Sequence, residues 1–243
     1  MKNIMIFGTG ALVALASSIA VAEDFGWQGF DDPTTGYEVG IEKQIETIEP
    51  NDEKVVQRTF GRLQRTYDWQ VYKDRKGSTF DVEAKAGLMG GQYKGSLKVS
   101  DGYGSFNEFR GGVTGEVAGV YTLNTSKIDP FIGGLVAYEF MSRPRSEWQT
   151  DALAGVKFNI ADDKDLSLRY RHVLAHGMDY HNSDSSIRQD DGHSIALIGT
   201  KRMANKTSHT VKLEYEKFDI GELKSFGYEP DTANWLITYK RTF

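Results

Sequence analysis

The sequence contains no cysteine, which rules out a disulfide scaffold and thiol catalysis. Proline occurs only 5 times in 243 residues. Beyond residue 22 no stretch approaches the ~18 consecutive apolar residues of a membrane-crossing helix, and the mean hydropathy is −0.47. There is no basic excess either. The formal net charge is −5, which argues against general nucleic-acid binding. No Gly-x-Ser-x-Gly nucleophile elbow, low-complexity tract, linker or long-period repeat is present. Glycine (26 residues) and aromatics (12%) are plentiful, and that mixture suits strands and turns better than helices.

The first 22 residues read as a cleavable secretory signal. Lys2 provides a positive start, Ile4 to Ile19 forms a short apolar run, and Ala20-Val21-Ala22 is a small-x-small cleavage pattern ahead of Glu23-Asp24. Cleavage there removes one lysine and no acid, so the formal charge moves from −5 to −6. Residues 23–243 are expected to form one domain.

Nearly all of that domain alternates with a period of two. Tyr37, Val39, Ile41 and Ile45 are separated by polar residues or glycine. The same holds for Leu63, Tyr67, Trp69 and Val71, and for Phe80, Val82, Ala84, Ala86 and Leu88. Similar faces recur around 113–123, 152–160, 166–170, 195–199, 211–215 and 235–239, while 130–141 is apolar on both sides with Glu139 as the exception. About ten segments result, many near the ~9–11 residues that a tilted strand needs to cross a bilayer. The connections alternate in length. Lys73–Thr79, Asn124–Asp129, Ala161–Asp165 and Met203–Ser208 are short; Gly90–Glu108, Ser142–Glu147, Gly177–Gln189 and Gly221–Thr232 include longer ones. Short turns on one side and long loops on the other, with charged polar faces and weak hydrophobicity per strand, predict an antiparallel transmembrane β-barrel of about ten strands. An even count places both ends of the domain on the short-turn side. Two aromatic girdles are expected: Tyr37, Tyr121, Phe131, Phe158, Tyr239 and Phe243 below, and Phe140, Trp148 and Trp235 above.

The final segment, Ala233-Asn234-Trp235-Leu236-Ile237-Thr238-Tyr239-Lys240-Arg241-Thr242-Phe243, resembles the C-terminal strand of Gram-negative outer-membrane barrels, with Arg241 where that pattern is usually apolar. The resemblance implies export to the cell outer membrane and recognition of the strand ending at Phe243 by the barrel assembly machinery. Asp129-Pro130-Phe131-Ile132-Gly133-Gly134 and Ala154-Gly155-Val156-Lys157-Phe158 look like OmpA-type or porin-family small barrels. Leu168-Arg169-Tyr170-Arg171 is similar to oligogalacturonate-specific porins.

Alternation assigns a charged lumen to Glu38, Glu42, Glu46, Asp68, Glu83, Lys85, Glu116, Asp151, Lys157, Arg169, Arg171, Arg202, Lys212, Glu214, Glu216 and Lys240. Barrels of about eight strands are filled by side chains, whereas ~16–18 strands leave a clear channel. The expected function is therefore a narrow, porin-like channel for small solutes, or a structural membrane protein. The alternatives are an omptin-like hydrolase at the barrel mouth and a loop-based adhesin or receptor. His172, His176, His181 and His193, with Asp179, Asp184, Asp190 and Asp191, are expected in one polar outer loop; no zinc-ligand spacing is present, and no metal, cofactor or catalytic residue is assigned. Asn124-Thr125-Ser126 and Asn205-Lys206-Thr207 read as turns. Pairing the first two apolar faces, Tyr37 with Val71 and Ile41 with Tyr67, sets Lys43 opposite Arg65 on the outer face. That pair is an expected grip for one lipopolysaccharide phosphate.

Overall fold

The computed structural model describes residues 30, 33–48, 55–99, 102–125, 127–141, 145–180, 186–189, 191–204, 207–219 and 231–243. It contains strands β1 (Thr34–Ile48), β2 (Val55–Lys73), β3 (Thr79–Val99), β4 (Gly102–Thr122), β5 (Ile128–Met141), β6 (Arg145–Ala161), β7 (Lys164–Tyr180), β8 (Ser186–Gln189), β9 (Asp191–Arg202), β10 (Ser208–Asp219) and β11 (Asp231–Thr242). Each strand of the barrel is antiparallel to both neighbours. The order runs β1 to β7, then β9, β10 and β11, and closes where β11 pairs with β1. This is a closed ten-stranded barrel. The four-residue β8 is an addition to the top of β7. At the seam, the Phe243 amide donates to the Tyr37 carbonyl at 2.9 Å.

The two faces of the wall are inverted relative to a soluble β protein. Exposed large apolar side chains occur on every barrel strand. Ile41, Leu63, Leu88, Val113 and Ile132 represent β1 to β5; Phe158, Leu168, Leu197, Leu213 and Ile237 represent the rest. Glu38, Asp151, Glu214 and Glu216 are buried instead. A wall with apolar groups outside and charges inside is stable in lipid, and closure satisfies every backbone group that an open edge would leave unpaired.

The short connections are built locally. In the β2–β3 turn, the Asp74 carboxylate accepts amide hydrogen bonds from Lys76 (2.8 Å) and Ser78 (2.7 Å). Gly77 takes φ 89°, the left-handed conformation that glycine adopts without a steric penalty. Asn124 donates to the Lys76 carbonyl at 3.0 Å and ties this turn to the next. Asn124-Thr125 is thus turn chemistry, as the sequence suggests; Asn205 and Lys206 lie outside the described residues.

Tertiary structure revises three sequence expectations. Gly90–Glu108 is mostly not a loop, because β3 and β4 stay paired out to Val99 opposite Gly102. At roughly 3.3 Å per residue, strands of 21 residues far exceed what a bilayer needs. Phe131 leaves the aromatic girdle: Ile132 and Phe140 are exposed on the even-numbered face of β5, so Phe131 points inward. There its ring lies 2.4 Å from where a Gly155 Cβ would sit. A bulge between Gln70 and Tyr72 sets Tyr72 opposite Phe80 on the outer face, where Val71, Tyr72, Phe80 and Val82 form a buried cluster with Trp69 and Tyr121 packed against it. Finally, Tyr37 faces Arg65 and not Val71, a slip of six residues from the expected register. Alternation constrains only the parity of a register, so an even slip leaves the faces intact. The observed register extends the ladder to Thr47 opposite Val55 and pairs backbone groups that the expected one leaves in a loop.

Backbone approach restricts the inner wall. A Cβ on Gly91 would lie 1.9 Å from the Thr59 carbonyl oxygen, a clash that no rotamer relieves. Gly91→Ala is expected to cost about 1–3 kcal/mol by overpacking, measured as the unfolding midpoint in urea. Gly61→Ala, whose Cβ would come no closer than 3.8 Å to the Gly90 carbonyl oxygen, is the control and is expected to leave that midpoint unchanged.

Candidate functional site

The inner faces of the strands bring charges of both signs together at two places. On the β1–β5 side, Lys85 reaches Glu38 (3.4 Å), Glu116 (3.9 Å) and, closer still, Glu83. Lys240 of β11 binds the other Glu38 oxygen at 3.0 Å. Arg62 joins Glu42 (3.5 Å) to Glu139 (2.7 Å). The second contact runs from β2 to β5 and so spans a chord of the lumen, not merely adjacent strands.

On the β6–β10 side, Glu214 is the common acceptor. Its side chain is 1% exposed. It receives Lys212 and Ser194, each at 2.5 Å, and Arg169 and Arg171, each at 3.4 Å. Arg171 also engages Asp151 at 3.4 Å, Glu216, and the Ser194 hydroxyl at 3.0 Å. Lys212 and Lys240 stand within electrostatic range of Glu42 and Glu116, which couples the two sides across the lumen. Charged groups of this size, so little exposed, fill the interior at that level.

Most residues assigned to the lumen from sequence therefore meet in these clusters. Asp68 joins the first through a hydrogen bond to Glu83, which it faces across β2 and β3. Two do not. Lys157 lies near Asp129 at 3.9 Å, and Arg202 pairs with Asp165, both at the lower rim. The Glu46 side chain is outside the described residues. Sequence reasoning missed Arg62, although Gln64 and Asp68 on the same alternation carry the signal for it. Glu139 stands in the sequence as a single exception within an apolar run.

The histidine group does not assemble. His172, His176 and His193 lie on strands, not in a loop. His172 and His193 are cross-strand partners on the outer face, level with Ala152 of β6. His176 is buried on the inner side of a bulge, 2.9 Å from Glu147. His181, Asp184 and Asp190 lie outside the described residues. Among the described residues no three His, Asp or Glu side chains are grouped to hold a metal ion.

The expected phosphate grip is also undone. Lys43 lies opposite Thr59 and Ile237, whereas Arg65 lies opposite Tyr37 and Ala86. The two bases share the outer face but stand six residues apart, roughly 20 Å along the strands. A cavity of about 320 Å³ bordered by Tyr67, Ala86, Gly115, Val117 and Tyr138 opens mainly on this apolar outer face.

No family model matches the sequence, and no curated protein sequence matches it. Solved structures of similar architecture include the COG4313 outer membrane channel from Pseudomonas putida F1, with a TM-score of 0.46 at 10% identity over 87% of this chain and 97% of that one. The beta domain of the Bordetella autotransporter Brka gives 0.44 at 8% identity, over 86% and 98%. The CymD monoaromatic hydrocarbon channel gives 0.34 at 11% identity, over 85% and 88%. These likenesses concern barrel architecture alone.

Proposed function

We propose that the protein is a narrow channel of a Gram-negative outer membrane, held nearly closed by ion pairs across its lumen. The observation that carries this reading is the Glu214 cluster, where a carboxylate 1% exposed is surrounded by Arg169, Arg171 and Lys212. A wide diffusion pore would leave such groups hydrated. The wall chemistry suits small hydrophilic solutes. Acids outnumber bases among the paired lumen groups, and acidic walls favour cations. Arg169 and Arg171 are engaged by acids, so these two do not offer the free arginine surface that an acidic-sugar porin would present. Two partners belong to the same reading: the barrel assembly machinery at the strand ending in Phe243, and lipopolysaccharide against the outer face, without the Lys43–Arg65 grip.

The lumen filling equally suits a purely structural barrel, and conductance separates the two. Planar-bilayer recording of the wild type is expected to show small, cation-preferring events. Removing the chord with Arg62→Ala and Glu139→Ala together is expected to raise unitary conductance several-fold. A large, steady wild-type conductance would refute the closed state. Silence in both proteins, with folding intact, would leave the structural role.

A further inference from the structure

A run of bases crosses the outer face at the short-turn end. Lys164 at the start of β7 is opposite Lys201 of β9, Lys201 is opposite His209 of β10, and His209 is opposite Arg241 of β11. Leu168, Leu197, Val211 and Ile237 share their alternating faces and are exposed, so all four bases point outward. Lys164, Lys201 and Arg241 are exposed, and His209 is half-buried. The next rung toward the bilayer centre is Leu166, Gly199, Val211 and Tyr239, with no charge. The bases thus border the apolar belt.

Adjacent strands lie ~4.8 Å apart, and like charges facing each other at that spacing repel. Local acids offer little relief on this face. Asp165, next to Lys164, turns inward and is taken by Arg202, while Asp162 and Asp163 belong to the adjoining turn. The Arg241 guanidinium lies 4.5 Å from the centre of the Phe243 ring, toward the chain end and away from the belt. Arg65 behaves similarly over Tyr67, at 5.2 Å. Such bending brings long cationic side chains to headgroup depth. The His209 Nδ1 is 2.7 Å from the Tyr239 hydroxyl, which fixes the ring at the same border.

We infer that Lys164, Lys201, His209 and Arg241 form a binding row for the phosphate of an anionic glycerophospholipid. Its acyl chains would lie on the belt above, beside Leu166 and Val211. Phosphate oxygens accept several charge-assisted hydrogen bonds at once, and one such group relieves the repulsion along the row. The inference rests on the outer-membrane reading, in which the short turns face the periplasm and a phospholipid leaflet.

The full-length protein is refolded into vesicles of phosphatidylethanolamine with phosphatidylglycerol, and lipid retention is then read by native mass spectrometry in detergent. Phosphatidylglycerol is expected to be retained over phosphatidylethanolamine. K164Q/K201Q/R241Q is expected to lower that retention about fivefold per cation removed. The charge-keeping K164R/K201R/R241K is expected to preserve it, which separates charge from folding. Equal retention by the glutamine variant would overturn the inference, as would loss in the charge-keeping one. Calorimetric titration with inorganic phosphate is expected to show no binding; tight binding would make this a free-anion site and overturn the lipid assignment. Failure of the wild type to insert into the vesicles would remove the membrane reading and this inference together. Insertion without lipid preference would remove the inference alone.

Discussion

Replacing Glu214 with leucine is expected to lower the unfolding free energy by about 3–5 kcal/mol, the usual consequence of leaving buried charges without their partner. Three cations converge on this carboxylate: Lys212 at 2.5 Å, and Arg169 and Arg171 at 3.4 Å each. Ser194 adds a hydrogen bond of 2.5 Å. Without the acid, the cations face one another in a filled interior, although Asp151 and Glu216 still engage Arg171. Glu214→Gln keeps the shape and loses the charge, so its cost is expected to be smaller. Adding Arg171→Met to Glu214→Leu is expected to recover part of the loss, because the two positions share one network and their effects do not add. The measurement is urea unfolding in lipid vesicles, followed by tryptophan fluorescence. A change within about 0.5 kcal/mol, as at ordinary surface positions, would mean that water already screens the cluster and that the lumen is open there.

Leu213→Arg tests the other face of the same strand. Leu213 is 42% exposed and stands in an unbroken apolar rung with Leu168, Leu197 and Ile237. Arginine near the bilayer midplane costs about 2–4 kcal/mol in such barrels. In a soluble β-sandwich the same exposed position would accept arginine almost without cost. Thr238→Val supplies the contrast. Thr238 is 3% exposed, and its hydroxyl has no hydrogen-bond partner. An isosteric apolar replacement there is expected to change stability by less than about 0.5 kcal/mol or to raise it slightly, since an unsatisfied buried polar group is removed. Unfolding in vesicles of both variants gives the comparison. Equal losses at the two positions would contradict the assignment of faces.

The part of this molecule legible in the sequence is the part that depends on neighbours along the chain. Successive strand side chains point to opposite sides, so Tyr37-Glu38-Val39 and Leu213-Glu214-Tyr215 announce an apolar and a charged face without reference to anything distant. Local chemistry likewise marks the short turns: Asp74 and Gly77 shape theirs within five residues. From these came the ten strands, the inverted faces and most of the lumen charges.

What depends on strands meeting across the barrel was not legible. Alternation gives a register only to within an even number of residues, and closure between β11 and β1, together with the pairing of every strand in between, selected the value that separates Lys43 from Arg65. Bulges add a residue to one strand and exchange its faces from that point on. That is why Tyr72 joins the outer face and His176 parted from His172 and His193. The Arg62–Glu139 chord and the row from Lys164 to Arg241 join residues 77 apart in the first case and spread over β7, β9, β10 and β11 in the second. Only a closed wall brings such residues together, because its curvature and shear, not local propensity, decide which side chains share a level.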